Sequence, residues 1–214
     1  MGMIRTHVCG AALLLLLAAG AIVGAQQPAF DTTSIDPNHE VAVFAGGCFW
    51  CMEHPYDRMD GVIDTISGYT GGHVENPTYH QVTFSDTGHY EAVLVVYDPG
   101  RVTYDELLTT FWFNIDPTDN RGQFCDRGPS YRTAIFYQDD AQERSATDSR
   151  DELEASNRLR RRIVTELLPA ATFWVAEDYH QDYYLNNPLR YRTYRTGCGR
   201  DARLRQLWGA DAPY

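Results

Sequence analysis

The pentapeptide Gly47-Cys48-Phe49-Trp50-Cys51 constrains this chain more than any other feature. It follows the apolar run Val41-Ala42-Val43-Phe44 and the flexible Ala45-Gly46-Gly47, and it leads into Met52-Glu53-His54. An apolar run closed by paired glycines and followed by helix formers predicts a strand, a tight turn and a cysteine at a helix start. Unpaired backbone N–H groups and the helix dipole favour a thiolate there. Phe49 and Trp50 beside it predict an apolar wall. A reactive thiol against such a wall points to redox or covalent chemistry on something small and partly apolar.

A chain of 214 residues is long enough for one domain with a substantial core. Met1 to Ala25 is expected to stand outside that core. Arg5 and His7 precede the short apolar block Ala11–Ala19, and Val23-Gly24-Ala25 offers a small-residue cleavage site before Gln26. This reads as a secretory signal peptide, with an uncleaved membrane anchor as the alternative. Export to the periplasm or another extracytoplasmic space follows. The net charge is −11 and Lys is absent, which argues against a nucleic-acid partner. Cys48, Cys51, Cys125 and Cys198 remain after cleavage. An even count in an exported protein would ordinarily suggest two structural disulfides, but a chain of this length does not need staples.

Along the chain, 26–40 reads as a loose leader and 41–214 as one domain. Strands are predicted over Val41–Ala45, Val62–Tyr69, Glu91–Tyr97, Thr133–Gln138 and Ile163–Leu168. Helices are predicted over Cys48–Met59, with Pro55 kinking or shortening it, and from the capping box Thr103–Glu106 through Phe113. Further helices are expected over Asp140–Arg162 and Glu177–Leu185. Asp116–Ser130 reads as a long loop holding Cys125, and Asn187–Tyr214 as an Arg- and Tyr-rich tail holding Cys198. With no GxGxxG and no internal repeat, the fold class is α+β: a two-layer sandwich around a mixed sheet, with flanking helices and a long coil-rich C-terminal tail.

Gly47-Cys48-Phe49-Trp50 with Glu53 resembles the signature of the peptide methionine sulfoxide reductase A family. Gly68-Tyr69-Thr70-Gly71-Gly72, Asn76-Pro77-Thr78-Tyr79, Thr87-Gly88-His89-Tyr90-Glu91, Phe111-Trp112 through Asp116-Pro117, and Tyr131-Arg132-Thr133-Ala134-Ile135 follow in that family's order. The resemblance covers Val41 to Tyr184. It implies reduction of the S epimer of methionine sulfoxide, free or in oxidised proteins, with no metal or organic cofactor. It also implies a thioredoxin-like reductant and a monomer.

Carried over residue by residue, the resemblance makes Cys48 the nucleophile, which attacks the sulfoxide sulfur and is left as a sulfenic acid. Glu91 becomes the proton donor, needing the raised pKa that burial would supply; by residue type alone it would be a solvent-facing carboxylate. Tyr79 and Tyr131 become donors to the sulfoxide oxygen, and Asp126 an acid that orders the polar network, where a turn residue is the plainer reading. Phe49 and Trp50 become the cage for the S-methyl group. His89 is expected to brace its loop. His54, His73, His80 and His180 are read as solvated or structural.

The resemblance implies a second cysteine that resolves the sulfenic acid. Cys198, in the Gly-bracketed tail, is ranked first and Cys51 second, because disulfide geometry within a helix start is demanding. Cys125 could relay. The rival enzyme reading is a thioredoxin-like dithiol oxidoreductase using Cys48 and Cys51, but here the aromatics lie between the cysteines rather than before them. A zinc-stabilised binding module would need a second close ligand pair, and Cys125 and Cys198 are solitary in sequence.

Overall fold

A computed structural model describes residues 28–212. The signal segment over 1–25 lies outside the described residues. A six-stranded sheet runs in the order β7-β6-β1-β3-β2-β8. Its strands are β1 (Glu40–Gly46), β2 (Val62–Thr70), β3 (Tyr90–Tyr97), β6 (Thr133–Tyr137), β7 (Glu166–Pro169) and β8 (Trp174–Val175). Pairing is antiparallel except between β6 and β7, so the sheet is mixed. β4 (Gly122–Gln123) and β5 (Asp126–Arg127) make a separate small hairpin.

Side-chain alternation along the central strands builds two cores. Ala42 and Phe44 of β1 and Val93, Val95 and Tyr97 of β3 face one side. There they meet Met52 and Tyr56 of α1 (Phe49–Tyr56), Leu107, Leu108 and Phe111 of α3 (Tyr104–Phe113), and Ala146 of α4 (Asp140–Ala155). Val43, Ala45, Ala92, Leu94 and Val96 face the other side, against Phe30, Ile35 and Phe173. Glu91 shares the parity of Val93 and Val95, so the strand delivers a carboxylate to the α1 side.

The Thr103–Glu106 capping box forms as expected and opens α3. Pro55 lies in α1, which ends one residue later at Tyr56 rather than at Met59. The helix expected to reach Arg162 stops at Ala155, because Asn157 takes a left-handed φ of 53° that closes it. The strand expected over Ile163–Leu168 is shifted to Glu166–Pro169. Glu177–Leu185 is a 3-10 turn over Asp178–His180 followed by the short α5 (Tyr183–Asn186), not one helix.

Two expectations are corrected outright. The tail is not coil-rich: α6 (Pro188–Gly197) and α7 (Arg200–Trp208) fill it, and they bury Tyr191, Arg195, Arg200, Leu204 and Trp208. The described part of the leader is not loose. Ala29 bridges Trp174, and the Phe30 N–H donates to the Phe173 carbonyl at 2.8 Å. Besides α6 and α7, a further helix escaped the sequence reading: α2 (Tyr79–Phe84), which Thr78 and Gln81 open with a second capping box.

Candidate active site

The turn after β1 sets the centre. Gly47 has a φ of 82°, and a Cβ there would lie 2.5 Å from the Gln123 side chain. Glycine therefore permits both the turn and the close approach of the β4–β5 hairpin, which carries Asp126. Cys48 follows as the N-cap of α1, and Cys51 lies one turn on, its N–H donating to the Cys48 carbonyl at 3.0 Å. Both thiols are unpaired and buried, 5% and 2% exposed.

The two thiols share a hydrogen bond and do not ionise alike. Burial, the Cys51 thiol and the Glu91 and Asp126 carboxylates push Cys48 well up. The hydrogen bond from Cys48 and the Arg200 and Arg195 guanidinium groups bring Cys51 down to about 6. The helix-start position that favours a thiolate at Cys48 is thus opposed by burial, while the hydrogen bond from Cys48 and the nearby guanidinium groups favour ionisation of Cys51. Taking the Cys48 sulfur out of water works against the dipole of a short helix.

Glu91 is 2% exposed, and its Oε2 accepts the Phe49 N–H at 3.2 Å. Burial pushes it up to about 8, against the opposing pull of that N–H and of a hydrogen bond with Tyr131. The carboxyl is therefore held protonated to a higher pH than an exposed glutamate. Tyr131, which ends a 3-10 turn, also hydrogen-bonds Tyr79 at the first position of α2. Burial raises both hydroxyls, keeping them protonated. Asp126 is raised by burial and accepts a hydrogen bond from Tyr194 of α6.

The aromatic wall is a packed cluster. Phe49 is buried, with its ring 4.9 Å from His180 and 5.9 Å from Tyr69. Trp50 stacks on Tyr183 at 3.6 Å and meets Tyr194 edge-on at 5.7 Å. Its Nε1–H donates to His180 Nδ1 at 3.1 Å. Burial drives His180 down to about 4, so it stays neutral. Glu53, fully buried, accepts from Ser67 Oγ at 2.9 Å and is pushed up to about 8 by burial. His89 braces its loop, bonding the Gly72 N–H and the Val74 carbonyl.

Cys48, Cys51, Phe49, Trp50, Glu91, Tyr79, Tyr131 and Asp126 thus converge. Cys198 does not join them as a free tail thiol. It is bonded to Cys125, with Cα atoms 4.8 Å apart, and the bond ties the β4–β5 hairpin to the α6–α7 junction. Cys198 lies at the C-terminal end of α6, and Gly199 takes a left-handed φ of 68° before α7. The sequence reading missed Tyr194, Tyr183, Arg200 and Glu177. Glu177 accepts from the Tyr69 hydroxyl and the Tyr79 N–H, both at 2.8 Å. No local motif marks these four; only the tail's density of Tyr and Arg hinted at buried aromatic and charged partners.

A family model described as peptide methionine sulfoxide reductase matches residues 40–212. The chain belongs to the peptide methionine sulfoxide reductase family. It is 54% identical over 198 residues to peptide methionine sulfoxide reductase MsrA 2 of Caulobacter vibrioides, covering 92% of this chain and 97% of that one. It is 51% identical over 171 residues to MsrA of Bacillus subtilis, covering 80% and 97%. Among solved structures, methionine sulfoxide reductase A of Corynebacterium diphtheriae aligns with a TM-score of 0.65 at 36% identity, covering 72% of this chain and 77% of that one. Reduced Mxr1 from Saccharomyces cerevisiae aligns with a TM-score of 0.68 at 32% identity, covering 72% and 89%. The family's mixed-sheet α+β fold is the one described above, and the thioredoxin-like reading is set aside.

Proposed function

We propose that the chain reduces the S epimer of methionine sulfoxide, free and in oxidised proteins, through a sulfenic acid on Cys48. One observation carries the reading: a buried, neutral Glu91 carboxyl bonded to the N–H of the residue after a buried thiol, with two tyrosine hydroxyls linked to it. The sulfoxide oxygen is a poor leaving group until protonated, and Glu91 is the group able to protonate it. Tyr79 and Tyr131 hold that oxygen without adding charge. The Cys51 thiolate takes the proton from Cys48 as its sulfur attacks. The net step converts sulfoxide plus thiol into sulfide plus sulfenic acid. Phe49 and Trp50 cage the methyl group, and Asp126 holds Tyr194 over the site.

Cys51, not Cys198, is the resolving thiol in this proposal. It adjoins Cys48, whereas Cys198 is bonded to Cys125. Attack of Cys51 on the sulfenic sulfur forms a Cys48–Cys51 disulfide and releases water, and a thioredoxin-like dithiol then reduces the bridge. The chain works as a monomer with no cofactor. Its place is outside the cytoplasm. The apolar Ala11–Ala19 block and the Val23-Gly24-Ala25 site support this, as does a bonded Cys125–Cys198 pair, which an oxidising compartment preserves.

The test is turnover of methionine sulfoxide with dithiothreitol, comparing wild type with Cys48→Ser. Turnover is expected in the first and none in the second, because a serine hydroxyl is far less nucleophilic than a thiolate. Sustained turnover by Cys48→Ser would remove Cys48 from the chemistry.

A further inference from the structure

The 3-10 turn Asp178–His180 ends on a histidine that takes no part in the proton transfers. His180 is 1% exposed and lies among aromatic rings, 4.9 Å from Phe49, 4.6 Å from Tyr79 and 4.2 Å from Tyr179. Its Nδ1 accepts the Trp50 Nε1–H at 3.1 Å, so the neutral ring carries its own proton on Nε2. That Nε2 is buried and has no hydrogen-bond partner among the described residues. A buried donor left unpaired costs stability, so packing alone would favour an apolar ring at this place. The bond to Trp50 is what a histidine supplies here and an apolar ring would not.

The acceptor has a fixed origin. The His180 N–H donates to the Glu177 carbonyl at 2.8 Å and closes the turn. Gln181, the next residue, is clamped to β2: its Oε1 accepts the Ser67 N–H at 2.9 Å and its Nε2 donates to the Ser67 carbonyl at 3.0 Å. Trp50 needs such a constraint. It stacks on Tyr183 with ring centroids 3.6 Å apart and planes 6° from parallel. Stacking fixes the plane of an indole but not which of its edges points which way. The outer side-chain torsion of tryptophan is broad and roughly two-fold, so a flipped ring could keep the stack and present its other edge. A directional bond from Nε1–H to His180 removes that freedom.

Resting on the reading of function above, we propose that His180 is a positioning residue that selects one flip of the Trp50 indole and so sets the edge that cages the S-methyl group. It acts through Trp50 and moves no proton. The consequence is discrimination between S-methyl and S-ethyl sulfoxides. They differ by one methylene, for which a shaped apolar pocket supplies about 10- to 200-fold.

Two readouts test this in His180→Phe, which keeps a ring but removes both nitrogens, and in His180→Asn, whose Oδ1 replaces Nδ1 as acceptor. Each variant is first shown to be folded by circular dichroism. The first readout, taken without substrate, is the NMR signal of the Trp50 indole N–H, one of four in the chain and assigned with Trp50→Phe. It is expected to move upfield and to exchange faster with solvent in His180→Phe, and to stay close to wild type in His180→Asn. The second is the ratio of kcat/KM for the S epimer of methionine sulfoxide to that for the same epimer of its S-ethyl homologue, with dithiothreitol. The ratio is expected to fall about tenfold in His180→Phe and to return most of the way in His180→Asn. Disturbed packing alone would slow both substrates alike and leave the ratio where it was. An unmoved indole signal in His180→Phe, an unchanged ratio, or an equal fall of the ratio in both variants would overturn the assignment. If His180→Phe does not fold, His180→Leu takes its place in both comparisons. A wild type that reduces neither sulfoxide would instead overturn the reading of function, whatever the indole signal shows.

Discussion

Replacing Glu91 with glutamine should stabilise the protein while disabling it, and the gain should grow with pH. Glu91 is pushed from the ordinary glutamate value of 4.5 up to about 8, chiefly because it is buried. Between those values the unfolded chain has lost the proton and the native chain retains it, so the native state binds more protons and stability falls as pH rises. The slope for one group is about 1.4 kcal/mol per pH unit, so by pH 7 the accumulated cost is on the order of 3 kcal/mol. Glutamine keeps the shape, can accept the Phe49 N–H through its carbonyl oxygen, and has no proton to lose in either state. Glu53 is raised in the same way but is present in both proteins, so its contribution cancels in the difference. The assay is urea unfolding of both proteins at pH 5, 6, 7 and 8 with the Cys125–Cys198 bond intact. The advantage of Glu91→Gln is expected to be small near pH 5, to widen steadily, and to level off above pH 8. In the same protein the single-turnover rate should fall by about a hundred- to ten-thousand-fold, the usual worth of a general acid. A stability difference that stays flat from pH 5 to 8 would show that Glu91 is not held protonated, and proton donation by Glu91 would fall with it.

Two further predictions concern the cysteines. Joint replacement of Cys125 and Cys198 by serine opens a link spanning 73 residues and should cost up to about 4 kcal/mol in thermal or urea unfolding, yet leave cycling with a dithiol protein reductant in place; loss of that cycling in folded protein would return Cys198 to the redox pathway. Cys51→Ser should complete one turnover and then stall with a dithiol protein reductant while small thiols restore cycling, since they reduce a sulfenic acid directly; normal cycling with the dithiol protein would exclude Cys51 as the resolving thiol.

The centre of the site was legible because its residues are fixed by local rules. Paired glycines after an apolar strand announce the turn at Cys48, and strand parity carries Glu91 to the same side. The tail was not legible, for a physical reason. α6 and α7 are rich in Arg and Tyr and show little apolar periodicity, because the side chains they bury include Arg195 and Arg200. These are buried with partners on other elements: Arg200 donates to Asn114 and Gly46, and Arg195 pairs with Asp201 across the α6–α7 junction. Such partners cannot be read from a local window. The Cys125–Cys198 pairing escaped for the same reason. By contrast α2 was readable and overlooked: Thr78 and Gln81 spell a capping box directly before it. Burial also opposes the thiolate expected at Cys48, since a helix start favours an anion less where the group is taken out of water.

The most direct measurement is a single turnover without reductant, in which fully reduced protein meets each resolved epimer of methionine sulfoxide and the products are quantified and mapped by mass spectrometry. The expected result is one methionine per chain from the S epimer, none from the R epimer, a new Cys48–Cys51 bridge, and no methionine at all from Cys48→Ser. Methionine from the R epimer, or a bridge that excludes Cys48, would contradict the proposed chemistry.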